Sequence, residues 1–199
     1  GMINSLLEYF RLDSGKEMPS VKPFKLCSIA EALKTEFEPV AERKQLSFMV
    51  ENQADEIASG DKDRILSIGS NLLSNAIKFT SNGTITLVTE CKESTFVLTV
   101  EDTGTGMTEE QQQRIFIPFE RLGNAVTEDG FGLGLAIVAD TVKLLQGTVR
   151  VESKPGKGSR FTVCLPLPKA EETVRDEKTS MRHSLLSGSS VLAIDNNGM

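Results

Sequence analysis

The chain has 199 residues, 39% of them hydrophobic and 25% charged, with a formal net charge of -6. This is the composition of one ordinary globular domain with appendages, and it excludes a disordered or fibrous chain. No run approaches the roughly 18 apolar residues that span a bilayer, no signal-peptide pattern is present, and the acidic balance argues against nucleic acid as a partner.

In chain order, residues 3 to 12 place apolar side chains at i, i+3, i+4 and i+7 and read as a helix. It stops at Asp13-Ser14-Gly15, where a C-terminal glycine is expected. A helix this short is not stable alone, so it reads as the end of a longer one. Ser28-Ile29-Ala30-Glu31 reads as a capping box opening a second helix that reaches about Lys44, with Pro39 as a point of bending. Residues 46 to 50 form a short strand. Asp61 caps a long helix that reaches Phe79, with Ile65, Leu66, Ile68, Leu72, Leu73, Ala76 and Ile77 on its buried face. Asn82-Gly83 then turns the chain into two strands, residues 84 to 91 and 94 to 101, whose alternation suits a sheet covered on one side.

From residue 107 to 129 the periodicity fades, apart from a helical turn near residues 108 to 113; such a stretch inside a domain is usually functional. Residues 133 to 145 restore helix. Val149-Arg150-Val151 and Phe161-Thr162-Val163-Cys164-Leu165 form a hairpin through Lys154-Pro155-Gly156-Lys157-Gly158. That turn lacks the Walker A spacing and opens no helix, so it is not a P-loop. Pro166-Leu167-Pro168 ends the domain, residues 169 to 190 read as linker, and Val191-Leu192-Ala193-Ile194-Asp195 is a sudden apolar run ending in an acid. Cys27, Cys91 and Cys164 make no C-x-x-C pair and read as isolated buried thiols in a reducing compartment. The elements as a whole predict an α/β fold with helices on one face of a mixed sheet.

Asn71, Asn75 and Lys78 fall at i, i+4 and i+7 of the long helix, opposite its apolar stripe, so they line a groove. An amide oxygen is a hard, neutral Mg²⁺ ligand, suited to an ion already held by phosphates. Taken alone, the three fit an ordinary solvated helix face; the glycine-rich turns downstream favour a site. Asp102 ends a strand rich in Val97, Leu98 and Val100. A carboxylate held there can accept a hydrogen bond from the exocyclic amine of adenine, which guanine cannot donate at that position. Gly104 and Gly106 let backbone approach a base and ribose without Cβ clashes, although an Asp/Gly turn is common by itself. Gly130, Gly132 and Gly134 precede a helix, where free amides and the positive end of the dipole suit phosphate.

Asn71-Leu72-Leu73-Ser74-Asn75-Ala76-Ile77-Lys78, Glu101-Asp102-Thr103-Gly104-Thr105-Gly106 and Gly130-Phe131-Gly132-Leu133-Gly134-Leu135 follow one another in this order. The set strongly resembles the N, G1 and G2 boxes of the histidine-kinase catalytic domain, and Ile115-Phe116-Ile117-Pro118-Phe119-Glu120-Arg121 resembles its F box. The resemblance covers about residues 20 to 168 and implies a two-layer α/β sandwich of the Bergerat ATP-binding type. It implies ATP and Mg²⁺ as cofactors, Asn75 as the Mg²⁺ ligand, Asn71 and Lys78 on phosphate oxygens, and Asp102 as the adenine reader. Asn71, Lys78 and Arg121 form the implied catalytic set. Further nucleotide contacts are implied for Gly104, Gly106, Met107, Phe119, Gly130, Phe131, Gly132, Leu133, Gly134 and Thr162. Phe116, Phe119 and Arg121 would belong to a lid over the nucleotide, coupled to a neighbouring helical domain.

ATP-hydrolysing relatives of this fold, such as gyrase B, the Hsp90 chaperones and mismatch-repair MutL, place a glutamate four residues before the Mg²⁺ asparagine. Here that position is Asn71, and an amide cannot take a proton from water. Positioning ATP without activating water fits phosphoryl transfer to an external acceptor. His183 is the only histidine and sits in a polar stretch after the domain, so it reads as a solvated linker residue and not as the acceptor. The implied function is therefore the ATP-binding catalytic part of a bacterial two-component sensor histidine kinase. The alternatives are a non-catalytic nucleotide-binding regulatory module and a chaperone- or topoisomerase-type ATPase.

By the same resemblance, residues 1 to 19 are the end of the second dimerisation helix plus linker. Residues 20 to 168 are the catalytic domain, 169 to 190 a linker, and 191 to 199 the start of a receiver domain whose second acidic position is Asn196. The implied partners are the parent's own dimerisation and phosphoacceptor domain, absent here, and a receiver domain of the same or another protein. The parent would be a homodimeric hybrid kinase, membrane-anchored with this part in the cytoplasm, and this chain by itself a monomer.

Overall fold

A computed structural model of the chain describes residues 2–13, 17–120 and 132–170. The elements run α1 (Met2–Asp13), β1 (Lys22–Lys25), α2 (Cys27–Arg43), β2 (Ser47–Gln53), β3 (Ile57–Gly60), α3 (Lys62–Phe79), β4 (Thr84–Lys92), β5 (Thr95–Asp102), α4 (Glu109–Arg114), α5 (Gly134–Leu144), β6 (Thr148–Lys154) and β7 (Gly158–Pro166). Arg121, Gly130, Phe131, His183 and residues 191 to 195 lie outside the described residues, and so do the expectations attached to them.

Five strands form the main sheet in the order β2-β4-β5-β7-β6. β2 runs parallel to β4, and every other neighbouring pair is antiparallel. A parallel pair needs a long crossover, and the chain from β2 to β4 provides it by way of β3 and α3. Strand alternation sends Ile85, Leu87, Phe96, Leu98, Val100, Phe161, Val163 and Leu165 to one face, where they are buried. Against them pack Ile29, Leu33 and Phe37 of α2 and Ile65, Leu72 and Leu73 of α3. The intervening Thr86, Val88, Thr99 and Thr162 stay half-buried on the face without helices. This is the expected sandwich of helices on one face of a mixed sheet. Truncating one of these core leucines to alanine costs about 2–5 kcal/mol.

The start of α3 is fixed as the sequence predicts: the Asp61 carboxylate accepts the Arg64 N–H at 3.1 Å. Its other oxygen accepts the Ser20 N–H at 2.7 Å, which ties the segment before β1 to this helix. Ser28, in contrast, is not a helix cap. Leu26 already has helical dihedrals, α2 starts at Cys27, and the Ser28 hydroxyl donates back to the Lys25 carbonyl at 2.6 Å. A reciprocal capping box occurs instead at α4, where Thr108 and Gln111 exchange side-chain and backbone bonds. Pro39 is accommodated inside α2 without ending it.

A small second sheet, β1 antiparallel to β3, was not legible in the sequence. The segment after β7 extends it: the Ser59 N–H donates to the Pro168 carbonyl, and the Ala170 N–H to the Ile57 carbonyl. Backbone pairing therefore continues two residues past Pro168. Helix α1 packs against α5. Among the described residues no helix is long and apolar enough to cross a membrane.

Candidate functional site

A cavity of about 170 Å³ opens between the C-terminal half of α3, the end of β5, α4, the start of α5 and β7. Of the residues expected from the sequence, Asn75, Asp102, Gly106 and Met107 line it. Phe79, Thr105, Gln111, Ile115, Leu135, Ser159 and Phe161 line it as well, with Ala76; Ala76, Thr105, Ile115 and Leu135 fall within the quoted boxes, and none of the eight was singled out as a contact. The walls are mainly apolar, and one carboxylate is set among them.

Asp102 ends β5 on the helix-covered face and is 7% exposed. It pairs in register with Ser159 of β7, and its Oδ1 accepts the Gly104 N–H at 2.8 Å. Burial raises its carboxyl above the ordinary aspartate range, the Gly104 and Ser159 N–H groups pull it partly back, and Glu101 nearby pushes it up slightly. The site thus holds an incompletely compensated acid that gains from any donor entering the cavity.

The turn after β5 is clamped to protein on all sides. A Cβ at Gly104 would meet the Phe79 carbonyl and the Asp102 carboxylate, and one at Gly106 (φ +64°) would meet the Lys154 carbonyl. The Thr105 N–H donates to the Phe79 carbonyl at 3.2 Å, and the Gly156 N–H donates to the Thr105 carbonyl at 2.7 Å. The Met107 N–H donates to Ser153 Oγ at 2.8 Å, and Gln112 Nε2 donates to the Ser153 carbonyl at 3.0 Å. These two glycines are thus already required by the approach of backbone to backbone within the fold, before any ligand is considered.

The expected polar stripe on α3 is only partly in the cavity. Asn75 lines it, whereas Asn71 donates through Nδ2 to the Ser67 carbonyl at 2.9 Å. The Lys78 ammonium lies 5.3 Å from the centre of the Phe79 ring. The start of α5 faces this stripe: a Cβ at Gly134 would stand 3.0 Å from Asn71 Oδ1 and 3.9 Å from Asn75 Nδ2. Leu133, the residue that begins the helix, makes no side-chain cap hydrogen bond, so this helix start has no side-chain cap of its own.

Gly132 (φ +71°) lies against the Glu120 carbonyl, and its own carbonyl accepts the Phe119 N–H at 3.1 Å. Phe116 packs on the core, but the Phe119 ring is 54% exposed and outside the cavity walls. Thr162 is the residue the fold moves furthest from expectation. It pairs with Thr99 and Arg150 on the face of the sheet away from the helices, because the two-residue period that buries Phe161 turns Thr162 outward. Ser159 and Phe161 occupy the position imagined for it.

A family model described as histidine kinase-, DNA gyrase B-, and HSP90-like ATPase matches residues 60–169, more than half of the chain. The chain belongs to this family. Within it, the domain is of the sensor-kinase type. It is 32% identical over 192 residues to the autoinducer 2 sensor kinase/phosphatase LuxQ of Vibrio parahaemolyticus, a match covering 91% of this chain and 22% of that protein. To the sensor histidine kinase RcsC of Escherichia coli it is 34% identical over 170 residues, covering 83% of this chain and 18% of the relative. The chain therefore spans about a fifth of the length of these curated relatives. Among solved structures, full-length ShkA in complex with AMPPNP superposes with a TM-score of 0.77 at 27% identity, over 87% of this chain and 36% of that one. The catalytic domain of histidine kinase ThkA gives 0.65 at 26% identity, over 74% and 95%. The Bergerat-type sandwich of this ATPase family is thus the fold of the chain.

Proposed function

We propose that this ATPase-family domain binds Mg²⁺-ATP in the cavity at Asp102 and passes the γ-phosphate to a histidine on a separate helical dimerisation domain, as the catalytic part of a sensor histidine kinase. One observation carries the reading: a buried carboxylate is set in an apolar cavity that the Asn75 amide also lines, with Asn71 and the start of α5 next to that amide. The adenine amine would donate to Asp102, with Ser159 beside it and Phe79, Met107, Ile115 and Phe161 around the base. A charge-assisted bond of this kind is worth about 1.5–3 kcal/mol. Asn71, Lys78 and the backbone of Gly132, Leu133 and Gly134 would receive phosphate oxygens. Thr162 is left out of this set.

Among the described residues no group of three or more His, Cys, Asp or Glu could hold a metal. An ion here would take its ligands from phosphate, water and the Asn75 amide, which suits the way Mg²⁺ binds with nucleotides. When bound, it neutralises phosphate charge. At position 71 stands an amide with no base strength, which favours transfer over hydrolysis.

The wider assignments belong to the same proposal. Residues 1 to 19 end the dimerisation helix, 20 to 168 form the catalytic domain, 169 to 190 a linker and 191 to 199 the start of a receiver. The parent is a homodimeric, membrane-anchored hybrid kinase that works in the bacterial cytoplasm and passes phosphate on to a receiver. The relatives named sensor kinases support the kinase assignment, and the neighbour solved with AMPPNP supports a nucleotide site. The test is incubation with labelled ATP and a separately supplied helical hairpin from the parent gene. Phosphohistidine should form on the hairpin and not on His183, and Asn75→Ala should abolish it. A chain that binds ATP yet labels no hairpin is the regulatory module instead.

A further inference from the structure

Three polar residues stand in one row across the sheet. Asp102 of β5 pairs in register with Ser159 of β7, and Ser159 pairs with Ser153 of β6. Strand alternation sends all three to the face that the helices cover. Asp102 and Ser159 line the cavity, whereas Ser153 is outside its walls. The Ser153 hydroxyl is nevertheless engaged on three sides. Its Oγ accepts the Met107 N–H at 2.8 Å, and it lies 2.9 Å from the Gly158 carbonyl and 3.0 Å from Ser159 Oγ. The Ser153 carbonyl accepts Gln112 Nε2 at 3.0 Å, which fixes the backbone at this point. A serine hydroxyl has one proton to donate and two lone pairs to accept with. The Gly158 carbonyl can only accept, so the bond to it uses the Ser153 proton. The contact between the two serines is then a hydrogen bond only if Ser159 donates. No other arrangement makes all three bonds at once.

We propose that Ser153 is a positioning residue for base selection: it takes the Ser159 proton, so that Ser159 presents only lone pairs to the cavity. The ionised Asp102 carboxylate is acceptor-only as well. These two neighbours in the sheet therefore favour a base with an amine at this point. A base with a carbonyl there, as in guanine or hypoxanthine, meets lone pairs from both and leaves them without a donor. With Ser153 truncated, the Ser159 hydroxyl is free to turn its proton into the cavity and to meet such a carbonyl. This rests on the reading of the cavity as an ATP site and goes beyond it by placing part of the discrimination on a residue that touches no nucleotide.

The test is calorimetry with ATP and with inosine triphosphate, which carries a C6 carbonyl in place of the amine. Ser153→Ala also leaves the Met107 N–H without its acceptor, but that loss weakens both nucleotides alike and cancels in their ratio. The preference for ATP should fall by about 2- to 10-fold in Ser153→Ala, which is what one hydrogen bond between neutral groups is worth. Ser153→Thr, which keeps the hydroxyl, should retain the wild-type preference. Ser159→Ala should lower the preference too, because the inosine carbonyl then meets one acceptor fewer. Both nucleotides weakened equally in Ser153→Ala would show a merely structural residue and overturn the proposal. A preference that rises in Ser159→Ala overturns it as well, since Ser159 would then have been donating into the cavity. Either result leaves the ATP site standing, whereas no heat with ATP in the unaltered chain removes the site and the proposal together.

Discussion

Gly134 opens α5 against Asn71, so close that a Cβ there would stand 3.0 Å from the asparagine's Oδ1. Two helices far apart in sequence meet at this point only because one of them begins with a bare backbone. In an ordinary helix Gly→Ala gains about 1 kcal/mol. Here crowding of about 1–3 kcal/mol works against that gain. Gly134→Ala should therefore leave the melting temperature nearly unchanged while moving the helix start away from Asn71 and weakening nucleotide binding. Thermal melts and calorimetry on the same sample check this; unchanged affinity would show that the apposition has no bearing on the site.

Asp102→Asn should separate stability from binding. The amide still accepts the Gly104 N–H but carries no buried charge, so at neutral pH the nucleotide-free variant should melt higher than the wild type. The same change removes the charged acceptor for the adenine amine, and ATP binding should weaken by about 1.5–3 kcal/mol. Differential scanning with and without ATP reads both effects.

The pH dependence has a definite sign. Burial raises Asp102 above its ordinary value near 3.8, so the folded domain holds this proton more tightly than the unfolded chain does. The stability contributed is fully present below that ordinary value and is lost as pH rises through the folded one. The melting advantage of Asp102→Asn should accordingly be absent in acid and grow on approach to neutrality. An amine donor favours the carboxylate, so ATP affinity should fall as pH is lowered through the same window. A melting difference independent of pH would rule out Asp102 as the group responsible.

Asn75→Ala should spare the fold, because Asn75 lines the cavity and does not belong to the buried stripe of α3. Affinity for ATP measured with Mg²⁺ should then drop to the value measured with a chelator. A variant whose ATP affinity still responds to Mg²⁺ would remove Asn75 as the metal ligand.

The parts of the fold legible in the sequence were those where local chemistry and tertiary role agree. Asp61 caps α3 in fact as in pattern, and the alternation of Ile85, Leu87 and Thr89 matches the buried face of β4. Ser28 misled because Leu26 enters the helix earlier, driven by its complete burial, and the Ser28 hydroxyl then falls within reach of the Lys25 carbonyl. Sheet β1–β3 carried no signal, since Lys-Pro-Phe-Lys and Ile-Ala-Ser-Gly are short and the first contains a proline. In the site, Asp102 and Asn75 stood out only because they fall in ordered boxes with the glycine-rich turns, since a polar helix face and an Asp/Gly turn are each common by themselves. Phe79, Ile115, Leu135 and Phe161 are apolar residues like any in the core, and only the packing of four elements brings them round one cavity. Thr162 shows the limit most sharply: a strand's sequence gives its alternation, and which parity faces the helices follows from register.

The central claim is that Asp102 makes the cavity an adenine site, and paired calorimetric titrations of the unaltered chain with ATP and GTP in Mg²⁺ test it most directly. ATP should bind with at least about tenfold preference, the factor that corresponds to 1.4 kcal/mol, because guanine presents no amine where Asp102 accepts one. Equal affinities for the two nucleotides, or no heat with either, would contradict it.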